Sequence, residues 1–265
     1  MHTFTIAEKN TSLAWAAACQ ALDVATNQRR DGFHTVVRIA DAAAEDPQVR
    51  AHFDQVREEY GYDPIETVAN TIFPARLAAV CSSPAELTRR YRDMYPRLKR
   101  LDGKNKGGTY FGRIVAYPGE RGQVDQLTTM VTRIRVQAAL PGPMSAAYEM
   151  DIAHPDDLQP EAQTWSTPVH VAGTDNGYRG FPCLSHCSFQ LERGQTLHAV
   201  AHYRSHYMVD RAYGNYLGLG RLLAYLAQQA QVRPGSVTVV AGHAQIEKHL
   251  TVIRPVIQHQ MQIPA

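Results

Sequence analysis

The chain has 265 residues, of which 44% are hydrophobic, and this length can bury a sizeable core. Its 27 Lys and Arg nearly balance 25 Asp and Glu, leaving a formal charge of +2, so we expect no nucleic-acid partner. Four cysteines are too few for a disulfide scaffold. The sequence shows no basic segment followed by an apolar stretch at its start, and no apolar run approaches about 18 residues. We therefore expect a cytoplasmic protein with no membrane partner.

Helix-like and strand-like segments alternate through the first hundred residues. A capping Asn-Thr-Ser start followed by an alanine-rich stretch predicts a helix over 10–28, and a charged segment predicts another over 44–60. Runs rich in β-branched residues predict strands over 34–40 and 65–73. A Ser-Pro pair introduces a basic helix over 84–101.

The remainder of the chain predicts longer strands. The predicted elements are a helix over 123–138, a strand over 144–152, a hairpin of strands 181–192 and 195–206, a helix over 213–230, a strand over 237–247 and a short helix over 248–258. The turn of the hairpin would be Arg193-Gly194. We see no βαβ alternation in this order, so the sequence predicts an α+β fold with one domain over residues 1–265.

Cysteine and histidine side chains are concentrated in and beside the predicted hairpin. Cys183 and Cys187 would share a strand face, and a zinc site there would need two further ligands. His198, His202 and His206 follow at intervals of four, which aligns them on a helix and equally on a strand. Because the segment alternates like a strand, we interpret the histidines as a row on a wet sheet face and expect no metal site.

Three ordered sequence blocks are similar to the catalytic core of the thymidylate synthase family. They are Phe181-Pro182-Cys183 with Phe189 six residues after the cysteine, Tyr203-Arg204-Ser205 with Asn215 eleven residues after the arginine, and Pro234-Gly235 followed by Gly242-His243-Ala244-Gln245-Ile246. Weaker matches upstream are Gly107-Gly108-Thr109-Tyr110, Val124-Asp125-Gln126-Leu127 and the tract over 154–158. The resemblance covers 105–250, whereas 1–100 diverge, and it implies a large mixed sheet flanked by helices.

The resemblance places the family's nucleophile at Cys183. In that chemistry a thiolate adds to C6 of a pyrimidine, and C5 then attacks an electrophilic carbon. Arg204 would favour the thiolate by its charge, and Ser205 would bind the substrate or the nucleophile. Asn215 would read the ring, because its amide suits the O4 and N3–H pair of uracil. Without the flanking motif, Cys183 reads as a buried strand cysteine, Arg204 as a surface arginine and Asn215 as a helix cap.

Three further residues complete the substrate site that the resemblance implies: Tyr110, Gln245 and Glu247. Glu247 stands where the family has a sugar-binding tyrosine, and it would repel a phosphate but could accept a hydroxyl. Tyr207 replaces a folate-facing aspartate. Leu184 replaces the histidine after the nucleophile.

The phosphate-binding residues of the family also differ in this chain. Ser145-Ala146-Ala147 replaces a Ser-Arg-Arg sequence whose arginines reach a nucleotide phosphate across the dimer. Arginines available to replace them are Arg179, Arg211, Arg29 and Arg30. We therefore expect a divergent member that holds its substrate in a different way.

The expected function is C5 methyl or hydroxymethyl transfer to a uracil-like nucleotide or nucleoside. The resemblance implies 5,10-methylenetetrahydrofolate as the carbon donor and a homodimer, although the family's C-terminal segment that closes over folate is not evident before Ala265. Two alternatives stay open. One is an enzyme of a specialised nucleoside or natural-product pathway that does not use dUMP, and the other is a non-catalytic nucleotide-binding protein on the same fold.

Overall fold

The computed structural model describes residues 1–23, 30–101, 108–120, 122–154 and 182–259. The helices in these ranges are α1 (Thr11–Asp23), α2 (Pro47–Glu59), α3 (Ile65–Ile72), α4 (Ala75–Ala78), α5 (Pro84–Leu101), α6 (Tyr110–Val115), α7 (Gln126–Ala138), α8 (Tyr213–Ala230) and α9 (Leu250–His259). The strands are β1 (Thr5–Asn10), β2 (Asp31–Asp41), β3 (Tyr117–Gly119), β4 (Gly122–Val124), β5 (Tyr148–Asp151), β6 (Leu184–Glu192), β7 (Thr196–Tyr203), β8 (His206–Tyr207) and β9 (Arg233–Gln245).

Seven strands form one mixed sheet in the order β1-β2-β9-β7-β6-β5, with β8 added beside β9. Strands β2, β5 and β6 have antiparallel neighbours, whereas β1 pairs with β2, and β7 with β9, in parallel. The predicted large mixed sheet flanked by helices is thus confirmed. The expectation of no βαβ alternation is wrong, because α1 lies between β1 and β2 in the chain and α8 lies between β7 and β9.

One face of the sheet supplies the core, and α1, α7 and α8 pack on it. Side chains alternate between this buried face and a more exposed one, as the pleat of a strand requires. Buried members from the central strands are Val37, Ile39, Val237, Val239, Ala199, Ala201, Phe189 and Leu191. Between them on the other face lie polar and β-branched residues, among them Ser188, His202 and Thr238.

Helix α3 packs closely against α8, and the prediction of a strand for this segment is wrong. Its β-branched residues suggested a strand, yet Ile65, Val68, Ala69 and Ile72 are all buried and follow the spacing of one helix face. A Cβ atom built on Gly218 of α8 would lie 2.8 Å from the Ala69 carbonyl oxygen. The packing against α8 therefore overrides the local β propensity of this segment.

Other predicted elements match the structure closely. Helix α8 coincides with the predicted span 213–230, and Asn10 accepts a hydrogen bond from the Leu13 backbone N–H at the start of α1. Arg193 and Gly194 have φ of 48° and 70°, as a tight hairpin turn needs. Strand β9 begins earlier than predicted, and no helix among the described residues is long and apolar enough to cross a bilayer.

We predict that Gly218→Ala destabilises the protein by about 1–3 kcal/mol, because overpacking forces backbone or side chains to shift. The new methyl group would meet the Ala69 carbonyl and, at 2.9 Å, the Cβ atom of Ile72. Gly142→Ala is the matched control, since a Cβ there meets nothing within 4 Å. Chemical denaturation should leave the control within about 0.5 kcal/mol of wild type. Equal stability of the two variants would contradict the close packing of α3 on α8.

Candidate functional site

Cys183 lies directly before β6 and is half-buried, with Arg204 beside it. The Arg204 backbone N–H donates to the Cys183 carbonyl at 2.9 Å, and its side-chain Nε donates to the Pro182 carbonyl at 2.9 Å. The same guanidinium hydrogen-bonds the Cys183 thiol. The open end of the hairpin, opposite its turn, therefore brings the guanidinium against the sulfur.

Burial and positive charge act on Cys183 in opposite directions. Burial raises the pKa of the thiol, whereas the Arg204 charge, its hydrogen bond and the Arg211 charge each lower it. The effect of burial is the larger, so the pKa lies above its ordinary value and the resting group near pH 7 is the thiol. Arg204 acts in the expected direction, but it does not by itself produce a resting thiolate.

Tyr110 is the third predicted residue at this sulfur. It begins α6, is buried, and its hydroxyl hydrogen-bonds the backbone of Cys183 and Leu184. Thr109 caps the helix by accepting from the Gly112 N–H at 3.0 Å, and the Tyr91 hydroxyl is 2.7 Å from the Thr109 hydroxyl. Burial raises the pKa of Tyr110, so its phenol stays neutral. A hydrogen-bonded frame thus positions Tyr110 against the start of β6.

Asn215 lies in the first turn of α8 and is 3% exposed. Its Nδ2 is 3.1 Å from Nε2 of His206, whose ring stacks on Tyr203 with centroids 4.3 Å apart. Two buried polar atoms here, the Asn215 Oδ1 and the Tyr203 hydroxyl, have no hydrogen-bond partner among the described residues. Buried polar atoms are nearly always paired in native proteins, so these two mark a place where a ligand could bind.

A π-helical turn over Met208–Ala212 connects β8 to α8 and is held from both sides. The Trp15 indole donates to the Met208 carbonyl at 2.8 Å, and the Arg57 guanidinium donates to the Val209 carbonyl. The Glu247 carboxylate accepts from the Val209 and Asp210 backbone N–H groups, the latter at 2.6 Å. Such turns are frequent at functional sites, and this one sets the start of the helix that carries Asn215.

A cavity of about 440 Å³ opens beside this turn. Its lining contains the predicted substrate residues Gln245 and Glu247, and the other lining residues are Tyr62, Tyr207, Asp210, Ile246 and Lys248. Burial raises the pKa of Glu247, although its backbone hydrogen bonds oppose that shift. The lining carries the carboxylates of Asp210 and Glu247 and the ammonium group of Lys248, and Asp210 is ion-paired with Arg211, so the cavity offers both hydrogen-bond acceptors and donors.

The predicted site residues therefore form two groups. Cys183, Arg204 and Tyr110 lie together, whereas Gln245 and Glu247 line the cavity. Ser205 is half-buried in the short link between β7 and β8. Asn215 lies apart from both groups and is connected to the first by a chain of contacts. Its amide contacts His206, the His206 ring stacks on Tyr203, and Tyr203 lies near enough to Cys183 and Tyr110 for their charges to raise its pKa.

Arg211 connects the two groups. Its charge acts on Cys183, and its Nε lies 3.0 Å from the Asp210 carboxylate that lines the cavity. It also lies 3.8 Å from Asp63. Of the two described arginines among the named replacements for the lost phosphate anchors, Arg211 is the one at the site. Arg30 instead pairs with Asp23 at 3.9 Å, and residues 29 and 179 lie outside the described ranges.

Two interpretations of the hairpin need correction. The pairing register shifts between Leu184 and His186, so Leu184 and not Cys183 shares the buried face with Cys187. The three histidines do not form one row on a wet face, because His206 is 2% exposed after the chain leaves β7. The described residues contain no group of three or more His, Cys, Asp or Glu side chains placed to hold a metal ion.

Sequence reasoning missed His206 as a site residue and gave Arg211 only as one of several arginines. The regular spacing of the histidines grouped His206 with the exposed ones. Its burial depends instead on the end of β7 and on packing against Tyr203 and Tyr216, which the spacing does not show. The position of Arg211 depends on the π-helical turn, and no local sequence pattern predicts such a turn. Phe181, two residues before the candidate nucleophile, lies outside the described residues.

Comparison with known proteins gives a partial similarity. The chain is 29% identical over 96 residues to a protein of Methanosarcina barkeri and 30% identical over 95 residues to one of Methanosarcina mazei, each named as a candidate thymidylate synthase. These alignments cover 36% of this chain and 42% and 41% of the relatives, so the chain spans about two fifths of their length. No family model matches the chain.

We predict that the apparent pKa for alkylation of Cys183 lies above that of free cysteine and rises further in Arg204→Met. Removing the guanidinium abolishes an interaction that favours the thiolate, while the effect of burial remains. Peptide mass spectrometry of iodoacetamide-treated protein across a pH series measures this pKa. Arg233→Met, which removes an exposed arginine at the start of β9, should leave it unchanged. An unchanged or lower pKa in Arg204→Met would contradict the assigned contact.

Proposed function

We propose that the protein is a thymidylate synthase-like one-carbon transferase that acts at C5 of a uracil-like ring in a nucleotide or nucleoside. The observation that carries the proposal is the hydrogen bond between Arg204 and the Cys183 thiol, in the sequence context that resembles the family. The partial similarity to the Methanosarcina proteins supports the same reaction class. The residues that depart from the family concern the substrate's phosphate and sugar, the folate-facing position of Tyr207 and the position of Leu184 after the nucleophile.

The chain's own residues support a covalent route. Cys183 would lose its proton when substrate binds and form a bond from sulfur to C6, and the electron pair of the C5–C6 double bond would move towards O4. C5 would then form a bond to the one-carbon unit and lose its hydrogen as a proton to solvent. The amine that carried the carbon would leave with the electron pair of its C–N bond, and that carbon would take a hydride from the donor to become methyl, or hydroxide from water to become hydroxymethyl. Arg204 stabilises the Cys183 thiolate before it adds to C6 and again when it leaves C6. The departure of the thiolate regenerates the C5–C6 double bond. Tyr110, with its neutral phenol, offers a proton and a hydrogen bond near the same sulfur.

The carbon donor we propose is 5,10-methylenetetrahydrofolate, which when bound supplies a one-carbon unit at the formaldehyde oxidation level. The cavity residues fit such a group, because the Tyr207 and Tyr62 rings offer aromatic surface and the Asp210 carboxylate accepts from N–H donors. The Tyr62 hydroxyl is buried without a partner among the described residues. Tyr207 and Asp210 would hold the pterin ring, while Gln245 and Glu247 would face the sugar.

A substrate without a phosphate is a second candidate, and a specific observation favours it. The cavity presents the carboxylates of Asp210 and Glu247, and the positions of the family's two phosphate-binding arginines are taken by Ala146 and Ala147. A carboxylate repels a phosphate and accepts hydrogen bonds from sugar hydroxyls. Deoxyuridine or a more elaborate uracil nucleoside would therefore replace dUMP as substrate.

We also propose that two copies of the chain pair through the exposed face of the sheet. Val36, Val200 and Val240 lie there on neighbouring strands and are half-buried in the single chain. A second copy would remove this apolar strip from water. Sedimentation velocity at micromolar concentration should show a dimer, and a monomer would count against it.

We predict release of tritium from C5-labelled deoxyuridine or dUMP in the presence of methylenetetrahydrofolate. Cys183→Ala should lower the release to background, because the thiol that forms the bond to C6 is removed. Cys81→Ala, which changes a half-buried cysteine outside the site, should retain the wild-type rate. Absence of release from every pyrimidine tested would contradict the proposed function. Ligand binding without release would instead favour a non-catalytic binding protein.

A further inference from the structure

The orientation of the Asn215 amide is set by a second residue, His206. The Asn215 Nδ2 donates to the His206 Nε2 across 3.1 Å, inside a region where both side chains are at least 97% buried. Burial lowers the pKa of His206 to about 3, so its ring is neutral near pH 7 and carries one N–H. An amide nitrogen can only donate, so the Nε2 atom that faces the Asn215 Nδ2 is the ring nitrogen without the proton. The imidazole therefore receives a hydrogen from the amide and gives none to it.

His206 is itself held in place by packing. Its ring stacks on Tyr203 at an interplanar angle of 18°, and the Tyr216 ring meets it edge-on with centroids 5.4 Å apart. Its backbone lies in β8 and pairs in register with Ala244 of β9. The imidazole is thus held between two aromatic rings. With its proton on Nδ1, a reversal of the Asn215 amide would place the amide oxygen, an acceptor, against the Nε2 acceptor of His206.

The amide oxygen on the other side has no such partner. Asn215 Oδ1 is buried and makes no hydrogen bond with any described residue. A buried acceptor without a donor is costly, so a donor from a ligand would be strongly favoured at this point. With one hydrogen of Nδ2 used by His206, the side chain presents Oδ1 as an acceptor and one remaining Nδ2 hydrogen as a donor.

This arrangement bears on the choice between two ring types. Uracil presents the O4 acceptor beside the N3–H donor, whereas cytosine presents an N4 amino donor beside the N3 acceptor. An asparagine amide can pair with either ring, but only by reversing its oxygen and nitrogen. A free asparagine would therefore discriminate poorly between the two, and a fixed one would discriminate well.

We propose that His206 is a positioning residue that locks the Asn215 amide in one orientation and thereby makes the site selective for uracil-type over cytosine-type rings. In this arrangement Oδ1 accepts from N3–H and the free Nδ2 hydrogen donates to O4. The proposal rests on the proposed function, because it concerns the ring that the Cys183 site would act on. It adds a residue that touches no substrate and acts through Asn215.

The first test compares the kcat/KM for tritium release from C5-labelled deoxyuridine and deoxycytidine, with their 5′-monophosphates run in parallel. Wild type should favour the uracil ring. His206→Leu, which keeps the volume but removes the acceptor, should reduce that preference by about tenfold, as expected for one lost hydrogen bond. His206→Gln, whose side-chain oxygen can accept from Nδ2, should largely restore it. General damage to the fold would lower both rates together and leave their ratio unchanged.

The second test uses the wild-type protein and needs no turnover. Nitrogen-15 spectra of the His206 ring should show Nε2 without a proton and Nδ1 with one throughout pH 5 to 8. A proton on Nε2, a preference for cytosine in the wild type, or an unchanged preference in a folded His206→Leu protein would each overturn the proposal. Failure of all four pyrimidines to release tritium would instead contradict the proposed function, while the ring spectra would still report on the lock.

Discussion

The site depends on the contact of one side chain, the Arg204 guanidinium, which hydrogen-bonds both the Pro182 carbonyl and the Cys183 thiol. The contact joins the end of β7 to the segment that enters β6, so it fixes the sulfur relative to both strands of the hairpin. It also places a permanent positive charge beside a thiol that burial would otherwise keep strongly protonated. Geometry and reactivity of Cys183 thus have the same origin, and loss of the guanidinium would affect both.

A second constraint, the π-helical turn over Met208–Ala212, organises the rest of the site. The Glu247 carboxylate holds its backbone N–H groups. The turn carries Arg211, whose charge acts on Cys183, and it leads into the first turn of α8 with Asn215. In this chain Glu247 therefore has a structural role as well as a place in the cavity. Glu247 therefore links the cavity to the turn from which the helix of Asn215 begins.

Local pattern was sufficient to predict the hairpin and α8, because their turn residues and apolar periodicity lie within short windows. It failed for α3, whose β-branched residues are helical because they pack on the glycines of α8. It also failed for β1, since pairing of that strand with β2 is a long-range event. Within the candidate site, motif spacing predicted Cys183, Arg204 and Asn215, and the structure brings the first two together. The same spacing could not predict the burial of His206 or the orientation of Arg211, because both depend on tertiary packing.

The most direct test of the account is whether Cys183 forms a covalent bond to a pyrimidine. A fluorine at C5 cannot leave as a proton does, so 5-fluoro-2′-deoxyuridine or its monophosphate should stop the reaction after carbon transfer to C5. Intact-mass measurement with methylenetetrahydrofolate present should show one adduct per chain, and peptide mapping should locate it on Cys183. No adduct with either compound, or an adduct on another residue, would contradict the assignment of Cys183 as the nucleophile.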